Sequence, residues 1–367
     1  MAMFKGLYIH IPFCSQKCPY CDFFSVTSRE IDSETYFRAL LEEIKIYSNF
    51  YSFSLQTVYF GGGTPSLILP HLYESFFNEL GKLLDLSSLK EVTIEVNPES
   101  YTVEDFKQLR EIGFTRVSVG VQSFLDENLG KLGRNHTSQH SLKILENAHK
   151  GGFENISVDL IWGLPGQTEE QLRKEFETLK QTPAVHLSAY LLTVYDETPF
   201  ALLLKEGKLD LPSQERIEAL YETLLEETEK LNFKRYEISN FSKREKFKSR
   251  HNLLYWKMEP FLGIGAGAWS FDGTKRWANI KNIKLYGEKL LKEKIPPVGD
   301  VINLTEKDFK KEAIILGLRT TEGIPLDWVK GRLPEEIIRE FFVQKGEKIA
   351  FNKRGFLVSN TLLSMLV

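Results

Sequence analysis

The chain has 367 residues, of which 42% are hydrophobic and 26% are charged, as in a globular protein that can bury a core. Its formal net charge of −3 provides no basic field, which argues against nucleic acid or an anionic membrane surface as a partner. Because it has no apolar run long enough to span a bilayer and no signal peptide, we expect a cytoplasmic protein without a transmembrane segment.

Strand-like and helix-like segments alternate through the first half of the chain. Six short runs rich in β-branched residues predict strands, at residues 6–12, 57–63, 91–98, 116–123, 155–163 and 186–193. Helix-like stretches lie between them, at residues 33–48, 102–112 and 168–180. Thr102 and Asp105 fit a capping box at the start of the second of these helices. Since eight βα units close a barrel, six predict an α/β fold built on a partial (β/α)6 barrel with parallel strands.

Glycine-rich and polar motifs follow these strands where each one ends. GGGTP follows the second strand, EVNP the third, GVQS the fourth and DLIWGLPG the fifth, and a cysteine cluster follows the first. Active sites of parallel βα barrels lie at the carboxyl ends of the strands. The sequence therefore predicts a functional site at this rim.

The pattern changes after residue 211. A charged helix is predicted at residues 213–231, and the motif RYEISNF follows it. The motifs HNLLYW and GIGAGAWSF then stand in a segment interpreted as irregular. Beyond about residue 303 the pattern indicates a separate helical module, and KIAFNKRGFLVSN is typical of a hairpin. We predict a barrel at residues 1–211, an extension completing one side of it at 212–300, and a smaller α+β, winged-helix-like module at 301–367.

The three cysteines of the chain, Cys14, Cys18 and Cys21, stand within eight consecutive positions. In a reducing compartment, clustered cysteines are more often metal ligands than disulfide partners. A tetrahedral zinc site needs a fourth ligand, which His10 would supply. A 4Fe–4S cluster held by three thiolates leaves one iron open to a small molecule. Packing of the cysteines as small apolar side chains is the third alternative.

The spacing Cys-x3-Cys-x2-Cys, with Tyr20 before the last cysteine, resembles the radical S-adenosylmethionine superfamily. The wider stretch LYIHIPFCSQKCPYCDF is similar to one branch, the oxygen-independent coproporphyrinogen III dehydrogenases (HemN) and the related heme chaperones (HemW). The resemblance runs from Leu7 to about Ser270 and more weakly to the C-terminus. It implies a 4Fe–4S cluster on Cys14, Cys18 and Cys21 whose open iron binds S-adenosylmethionine.

The rim motifs leave several roles open when read from the residues alone. GGGTP is also ordinary turn chemistry, and Glu95 in TIEVNP would equally suit a surface ion pair. Arg134 can hold a ligand carboxylate, or it can pair with Asp159, a carboxylate in an apolar strand that needs a partner. By resemblance, the S-adenosylmethionine site is formed by Tyr8, Tyr20, Gly62, Gly63, Thr64, Glu95, Gln122, Arg134 and Asp159.

A few positions distinguish the two branches. HemN enzymes resemble Cys-x3-Cys-x2-Cys-x-Cys and carry a long N-terminal extension, whereas here Phe23 stands at the fourth position and thirteen residues precede the first cysteine. HNLLYW is similar to a HemW signature associated with heme. It implies His251 as an axial heme ligand beside the flat faces of Tyr255 and Trp256, although such residues also commonly bond backbone or fill a core. Trp269 stands where this branch more often has histidine.

The resemblance therefore implies a chaperone that binds a 4Fe–4S cluster, S-adenosylmethionine and heme, and that delivers heme to acceptor proteins such as membrane cytochromes. The alternative is an oxygen-independent coproporphyrinogen III dehydrogenase, which decarboxylates propionate side chains by radical chemistry. A zinc-stapled binding module is the third hypothesis. No residue is assigned a catalytic role from the sequence.

Overall fold

A computed structural model of the protein describes residues 3–28 and 30–367. It contains a 12-stranded sheet and a three-stranded sheet near the C-terminus. The strands are β1 (Met3–Ile11), β2 (Ser52–Gly62), β3 (Glu91–Val96), β4 (Arg116–Gln122), β5 (Asn155–Trp162), β6 (His186–Leu191), β7 (Lys234–Arg235), β8 (Asn240–Ser242), β9 (Phe261–Ile264), β10 (Trp269–Phe271), β11 (Lys275–Asn279), β12 (Val298–Asn303), β13 (Ile324–Pro325), β14 (Phe342–Lys345) and β15 (Lys348–Phe351).

The helices surround the larger sheet and form most of the C-terminal part. They are α1 (Ser33–Ser48), α2 (Pro70–Leu83), α3 (Val103–Ile112), α4 (Asp126–Lys131), α5 (Ser138–Lys150), α6 (Glu169–Leu179), α7 (Pro199–Lys205), α8 (Gln214–Lys230), α9 (Arg250–Trp256), α10 (Ile283–Glu288), α11 (Glu306–Leu318), α12 (Glu335–Phe341), α13 (Lys353–Leu357) and α14 (Ser359–Leu366). Short 3-10 turns lie at Pro65–Leu67, Glu245–Phe247 and Leu326–Trp328, and a π-helical turn at Lys289–Glu293.

Strands β1 to β6 form the parallel part of the large sheet in chain order, and at least one helix joins each strand to the next. Their side chains are buried almost continuously, as with Leu7, Ile9 and Phe60, because helices cover one face and the barrel interior covers the other. Within the described residues, the sheet ends at β12 on one side and β7 on the other, so the barrel stays open. The predicted partial barrel is confirmed.

The helices begin and end where the sequence indicated. At the start of α3, the Thr102 hydroxyl accepts from the Asp105 N–H (3.3 Å), and the Asp105 carboxylate accepts from the Thr102 N–H (2.8 Å), which confirms the capping box. Gly113 ends this helix with φ at 113°, a conformation that glycine adopts without strain. The predicted charged helix is α8. In the part of the chain that the structure describes, none of the helices has the length and apolarity needed to cross a membrane.

The segment interpreted as irregular contains four further strands, so that interpretation was wrong. β9 pairs with β1 in parallel, with Leu7 opposite Leu262 and Ile9 opposite Ile264, and β10, β11 and β12 follow it antiparallel. β10 has three residues and β9 four, and glycines lie around them, so no strand periodicity is visible in the sequence. These strands extend the sheet beside the loop that carries the cysteines.

Glu43 on α1 anchors this extension to the barrel. Its carboxylate accepts hydrogen bonds from the Gly265 N–H (3.0 Å), the Tyr286 hydroxyl (2.6 Å) and the Asn279 amide (2.6 Å). Burial raises the pKa of Glu43 to about 7, and these three hydrogen bonds oppose the increase. The second half of α1, the helix that follows the cysteine loop, is therefore tied to the extension.

The C-terminal part is a small α+β module built on β13, β14 and β15, as predicted. A hairpin was expected at residues 348–360, but the observed hairpin joins β14 to β15 and ends at Phe351. The chain then turns into α13, because the Asn352 side chain caps the helix by accepting from the Gly355 N–H (2.9 Å). Leu362, Leu363 and Leu366 bury one face of α14. The division of the chain at residues 211 and 300 stays a prediction.

Candidate functional site

Cys14, Cys18 and Cys21 lie on the loop between β1 and α1, at the carboxyl end of β1. All three are free thiols, and all three line one cavity of about 920 Å³. Backbone hydrogen bonds shape the loop, from the Cys14 N–H to the Val26 carbonyl (3.0 Å) and from the Cys21 N–H to the Cys18 carbonyl (3.1 Å). The three sulfurs therefore face one space at the rim that the sequence indicated.

The GGGTP turn after β2 holds this loop from the neighbouring strand. The Gly63 N–H donates to the Ile11 carbonyl (2.8 Å), and the Thr64 N–H donates to the Phe13 carbonyl (2.7 Å). The Thr64 hydroxyl lies 3.5 Å from the Cys14 sulfur. A Cβ on Gly63 would lie 2.8 to 2.9 Å from backbone atoms of residues 11–13, so the turn accommodates only glycine at this position. Gly62, Gly63 and Thr64 all line the cavity.

Arg134 reaches the cysteine loop from the segment after α4. Its Nη1 lies 3.4 Å from the Cys18 sulfur. Its Nη2 donates to the Asn97 side-chain oxygen (3.2 Å) and to the Gly120 carbonyl (3.3 Å). The guanidinium is thus fixed as a positive charge beside one of the three thiols.

Of the two alternatives for Arg134, the pairing with Asp159 is not observed. Asp159 accepts hydrogen bonds from the Ser118 hydroxyl (3.0 and 3.1 Å) and the Ser157 hydroxyl (3.2 Å) instead. Burial raises the pKa of Asp159, while serine hydroxyls and the charge of Arg116 oppose that increase. Neighbouring strands supply hydroxyl donors to this carboxylate, so it has partners without Arg134. Both residues nevertheless line the large cavity.

Glu95, at the end of β3, lies in the cavity wall rather than in a surface ion pair. Its carboxylate accepts from the Tyr59 hydroxyl (2.7 Å) and from the Gly62 N–H (3.1 Å). Burial, assisted by the nearby charge of Asp159, raises the pKa of Glu95 to about 7, although the Tyr59 hydrogen bond opposes the increase. The remaining lone pairs of this carboxylate are available to a ligand hydroxyl.

Gln122 ends β4 in a strained backbone conformation. Its φ is 64°, in the left-handed region that costs a residue with a side chain about 1–3 kcal/mol. The pairing of β4 with β5 is irregular between Val119 and Gln122, which turns the Gln122 amide into the cavity wall. Strained backbone of this kind is common at ligand sites, so Gln122 is a candidate for contact with a ligand.

We expect Gln122→Gly to separate stability from ligand binding. Glycine adopts the left-handed conformation without strain, so the free energy of unfolding should stay within about 1 kcal/mol of the native value. The affinity for S-adenosylmethionine should fall roughly fivefold, because one amide hydrogen bond is lost. Asn232→Gly is the matched control, since Asn232 also has positive φ (59°) but does not line the cavity. An unchanged affinity in Gln122→Gly would remove Gln122 from the proposed site.

Tyr8 is the one predicted cofactor residue that lines a different cavity, which has a volume of about 600 Å³. Its hydroxyl lies 3.1 Å from His10 Nδ1, and His10 Nε2 lies 2.7 Å from the Phe24 carbonyl. Burial lowers the pKa of His10 to about 4, so the ring is neutral. Since both ring nitrogens are engaged away from the cysteines, His10 does not provide the fourth ligand of the zinc alternative.

The donors at the rim suit an iron–sulfur cluster better than a single ion. Among residues 3–28 and 30–367, no group of three or more His, Cys, Asp and Glu side chains is arranged to hold one metal ion. The thiolates of a cubane bind different irons and need not converge on one point. Phe23, at the position of the fourth HemN cysteine, is 60% exposed and supplies no donor. Three free thiols facing one cavity therefore fit a cluster with one open iron.

His251 is buried on α9, and both of its ring nitrogens have partners. Nδ1 lies 2.7 Å from the Thr57 hydroxyl, and Nε2 lies 2.7 Å from the Tyr255 hydroxyl. Burial lowers the pKa of His251 to about 3, so the imidazole is neutral. Tyr255 and Trp256 line the large cavity, whereas His251 does not. Axial ligation by His251 stays a prediction, and it would require the ring to leave these two partners.

The sequence did not point to the part of the cavity that lies under the C-terminal helices. Arg235 of β7 and Arg319, which follows α11, line it together with Phe356 and Asn360. The motif RYEISNF drew attention to the first arginine but gave it no role. Nothing in the local pattern around residue 319 indicates a site, because only the fold brings these segments together.

Comparison with known proteins identifies relatives along the whole chain. The family described as "Radical SAM superfamily" matches residues 8–179. The curated protein "Heme chaperone HemW" of Bacillus subtilis (strain 168) is 39% identical over 324 residues, which are 87% of this chain and 84% of the relative. The protein of the same name in Lactococcus lactis subsp. lactis (strain IL1403) is 34% identical and covers 98% of this chain and 96% of its own length.

A solved structure shares the fold. It is described as coproporphyrinogen III oxidase (HemN) from Escherichia coli, a radical SAM enzyme. The TM-score is 0.82, and the match covers all of this chain and 90% of the other at 20% sequence identity. At that identity the similarity establishes the architecture and leaves the activity open.

Proposed function

The chain belongs to the radical SAM superfamily and to its heme chaperone HemW family, and we propose that it binds a 4Fe–4S cluster, S-adenosylmethionine and heme and delivers heme to acceptor proteins, such as membrane cytochromes. One observation carries the proposal. A single cavity is lined by the three cysteines, by eight of the nine residues assigned to S-adenosylmethionine and by the Tyr–Trp pair of the heme-associated motif. We also propose a cytoplasmic location, which the three unpaired thiols support.

We assign the cluster to Cys14, Cys18 and Cys21. When bound, a 4Fe–4S cluster supplies an open iron that coordinates the amino and carboxylate groups of S-adenosylmethionine. The fixed guanidinium of Arg134 offsets thiolate charge at Cys18, and the Thr64 hydroxyl can donate to the Cys14 sulfur. These contacts hold two of the three sulfurs in place at the rim, and burial raises the pKa of the third thiol, Cys21.

We assign the rest of S-adenosylmethionine to the neighbouring strand ends. The backbone at Gly62 and Gly63 approaches the ligand without an intervening side chain. The carboxylate of Glu95 can accept from ribose hydroxyls or face the sulfonium, and the amide of Gln122 can hydrogen-bond the nucleoside. Tyr20, Arg134 and Asp159 complete this wall of the cavity, whereas Tyr8 would act from the second cavity through His10.

Two features favour the chaperone over the coproporphyrinogen III dehydrogenase. The relatives that are 34% and 39% identical carry the chaperone name, whereas the HemN structure is 20% identical. Phe23 also stands where HemN enzymes have a fourth cysteine. The cofactor cavity serves both functions, so it does not separate them.

Parallel assays on anaerobically reconstituted protein test the proposal. We expect heme titration to give a saturable Soret band, and a heme-free acceptor cytochrome to take up that heme. We expect no protoporphyrinogen from coproporphyrinogen III under reducing conditions. A protein with an intact cluster that takes up no heme would refute the chaperone function, and turnover of coproporphyrinogen III would establish the dehydrogenase instead.

His251→Ala tests the axial ligand. We expect the Soret band of bound heme to shift while the iron content stays unchanged, because His251 lies apart from the cysteine loop. The free energy of unfolding should fall by about 1–3 kcal/mol, since Thr57 and Tyr255 lose a buried partner. His149→Ala is the control, because His149 is an exposed residue in the last turn of α5. An unchanged heme spectrum in His251→Ala would exclude His251 as the ligand.

A further inference from the structure

The large cavity has a basic end under the C-terminal helices. Arg235 lies on β7 at the edge of the sheet, and Arg319 follows α11. The backbone fixes the two segments to each other, since Thr321 N–H donates to the Tyr236 carbonyl (3.0 Å) and Glu237 forms a bridge with residue 320. Two guanidinium groups from distant parts of the chain therefore line one wall.

Most of the hydrogen-bonding capacity of these arginines is unused. Among the described residues, Arg235 donates only from Nη1, to the Tyr221 hydroxyl (2.5 Å), and Arg319 only from Nη2, to the Asn360 side chain (3.2 Å). Neither arginine forms an ion pair within residues 3–28 and 30–367, and the Nε atoms of both are closed off from the cavity and have no partner. Both side chains line the cavity, so an anion there would gain charge-assisted hydrogen bonds from their terminal N–H groups.

Aromatic rings hold one of the two guanidinium groups in place. Arg235 lies 5.1 Å from the ring centre of Tyr221, 5.0 Å from Phe241 and 4.9 Å from Phe356. Contacts with ring faces position a cation, but they leave the N–H groups at its edge free to donate. Arg235 is thus preorganised for a planar, charged partner such as a carboxylate.

Glu237 is the acidic residue at this end of the cavity. Its Oε2 accepts from the Ser239 N–H (3.1 Å), and its buried Oε1 has no partner among the described residues. Burial raises the pKa of Glu237 to about 7, which reduces its negative charge near neutral pH. Two guanidinium groups share this end of the cavity with the one carboxylate, so the local charge is positive whether or not Glu237 is ionised.

One wall of the large cavity is apolar, and half of the side chains that form it are aromatic. It is formed by Trp162, Leu191, Tyr195, Leu224, Trp256 and Leu357. Leu191 and Tyr195 are exposed in the cavity mouth, and they are large apolar side chains that a soluble surface rarely groups together. This wall suits a broad, flat, apolar body, and the arginines suit acidic groups at its edge.

We propose that Arg235 and Arg319 bind the propionate carboxylates of a tetrapyrrole whose macrocycle lies against the aromatic wall of the large cavity. The inference rests on the proposed heme-binding function and adds the orientation of the ligand in the cavity. The carboxylates point under the C-terminal helices, and the opposite edge of the macrocycle points toward the cysteine loop. The C-terminal helices, which contribute Phe356 and Asn360, thereby form one side of the ligand site.

A comparison of heme with its dimethyl ester tests directly whether the arginines bind the propionate carboxylates. Heme and heme dimethyl ester are titrated into reconstituted native protein, Arg235→Gln and Arg319→Gln. The native protein should bind heme at least tenfold more tightly than the ester, because charge-assisted hydrogen bonds are lost on esterification. Each variant should bind heme roughly tenfold more weakly than the native protein does, and should distinguish heme from the ester less. Arg173→Gln is the control, since Arg173 pairs with Glu226 and Glu227 on the surface.

The outcomes separate this inference from the proposed function. One outcome is that native protein binds heme and the ester equally, and that the variants bind heme as tightly as native protein does. That result would show that the arginines only fasten the C-terminal helices. It would refute the inference and leave heme binding intact. If native protein binds neither ligand, nor metal-free coproporphyrin III, both proposals fall. Arg319 makes one side-chain hydrogen bond, so Arg319→Gln remains a test even where Arg235→Gln unfolds.

Discussion

Cys18→Ala should lose its cluster. Anaerobic reconstitution of the native chain should give about four irons and four sulfides, and the variant fewer than about one of each, because two thiolates rarely hold a cubane. Binding of S-adenosylmethionine should be lost with the cluster, since the open iron is its main anchor in the proposed site. Iron and sulfide analysis and the visible absorption spectrum measure the first effect, and calorimetric titration measures the second.

Ser15→Ala is the matched control for this variant. Ser15 lies in the same loop and is exposed, whereas Cys18 is buried against Arg134. The control should keep the iron content and the absorption of the native protein. A full complement of iron in Cys18→Ala would contradict the ligand assignment and would require a donor outside the cysteine trio.

Gly63→Ala should disturb both the fold and the cofactor site. The added methyl group would lie 2.8 Å from the Pro12 carbonyl carbon and the Phe13 oxygen, and 2.9 Å from the Ile11 oxygen, so the backbone must move. We expect the free energy of unfolding to fall by about 1–3 kcal/mol. The affinity for S-adenosylmethionine should fall roughly tenfold or more, because the same shift displaces the start of the cysteine loop.

The opposite result is expected at another glycine. Gly81 lies in α2, where a Cβ would meet one atom of Leu86 at 3.8 Å. Gly81→Ala should therefore stabilise the protein by up to about 1 kcal/mol, through helix propensity alone, and leave ligand binding unchanged. Chemical denaturation of both variants provides the comparison. Equal effects of the two substitutions would show that the turn at Gly63 tolerates a side chain.

The sequence predicts the barrel well because its strands are long and buried on both faces. The rim site follows from the same periodicity, since Cys14, Gly63, Glu95 and Gln122 each stand just after or at the end of a predicted strand. The cofactor identity does not follow from periodicity. It depends on resemblance at the cysteine motif, and the matching relatives agree with that resemblance.

The predictions from sequence fail where tertiary contacts determine the local structure. Strands of three or four residues, such as β9 and β10, have no readable period and form because β1 offers an edge. The partner of Arg134 depends on which strands approach it, and hydroxyl donors from β4 and β5 satisfy Asp159 first. The contacts of His251 with Thr57, of Arg235 with Phe356 and of Arg319 with Asn360 join residues that are distant in sequence.

Electron paramagnetic resonance of the reduced, reconstituted protein, recorded with and without S-adenosylmethionine, tests the cluster and its open iron together. We predict a 4Fe–4S signal whose g-values shift when S-adenosylmethionine is added, because the ligand binds the iron that no cysteine holds. A colourless protein that contains zinc, or a cluster signal that S-adenosylmethionine leaves unchanged, would contradict it.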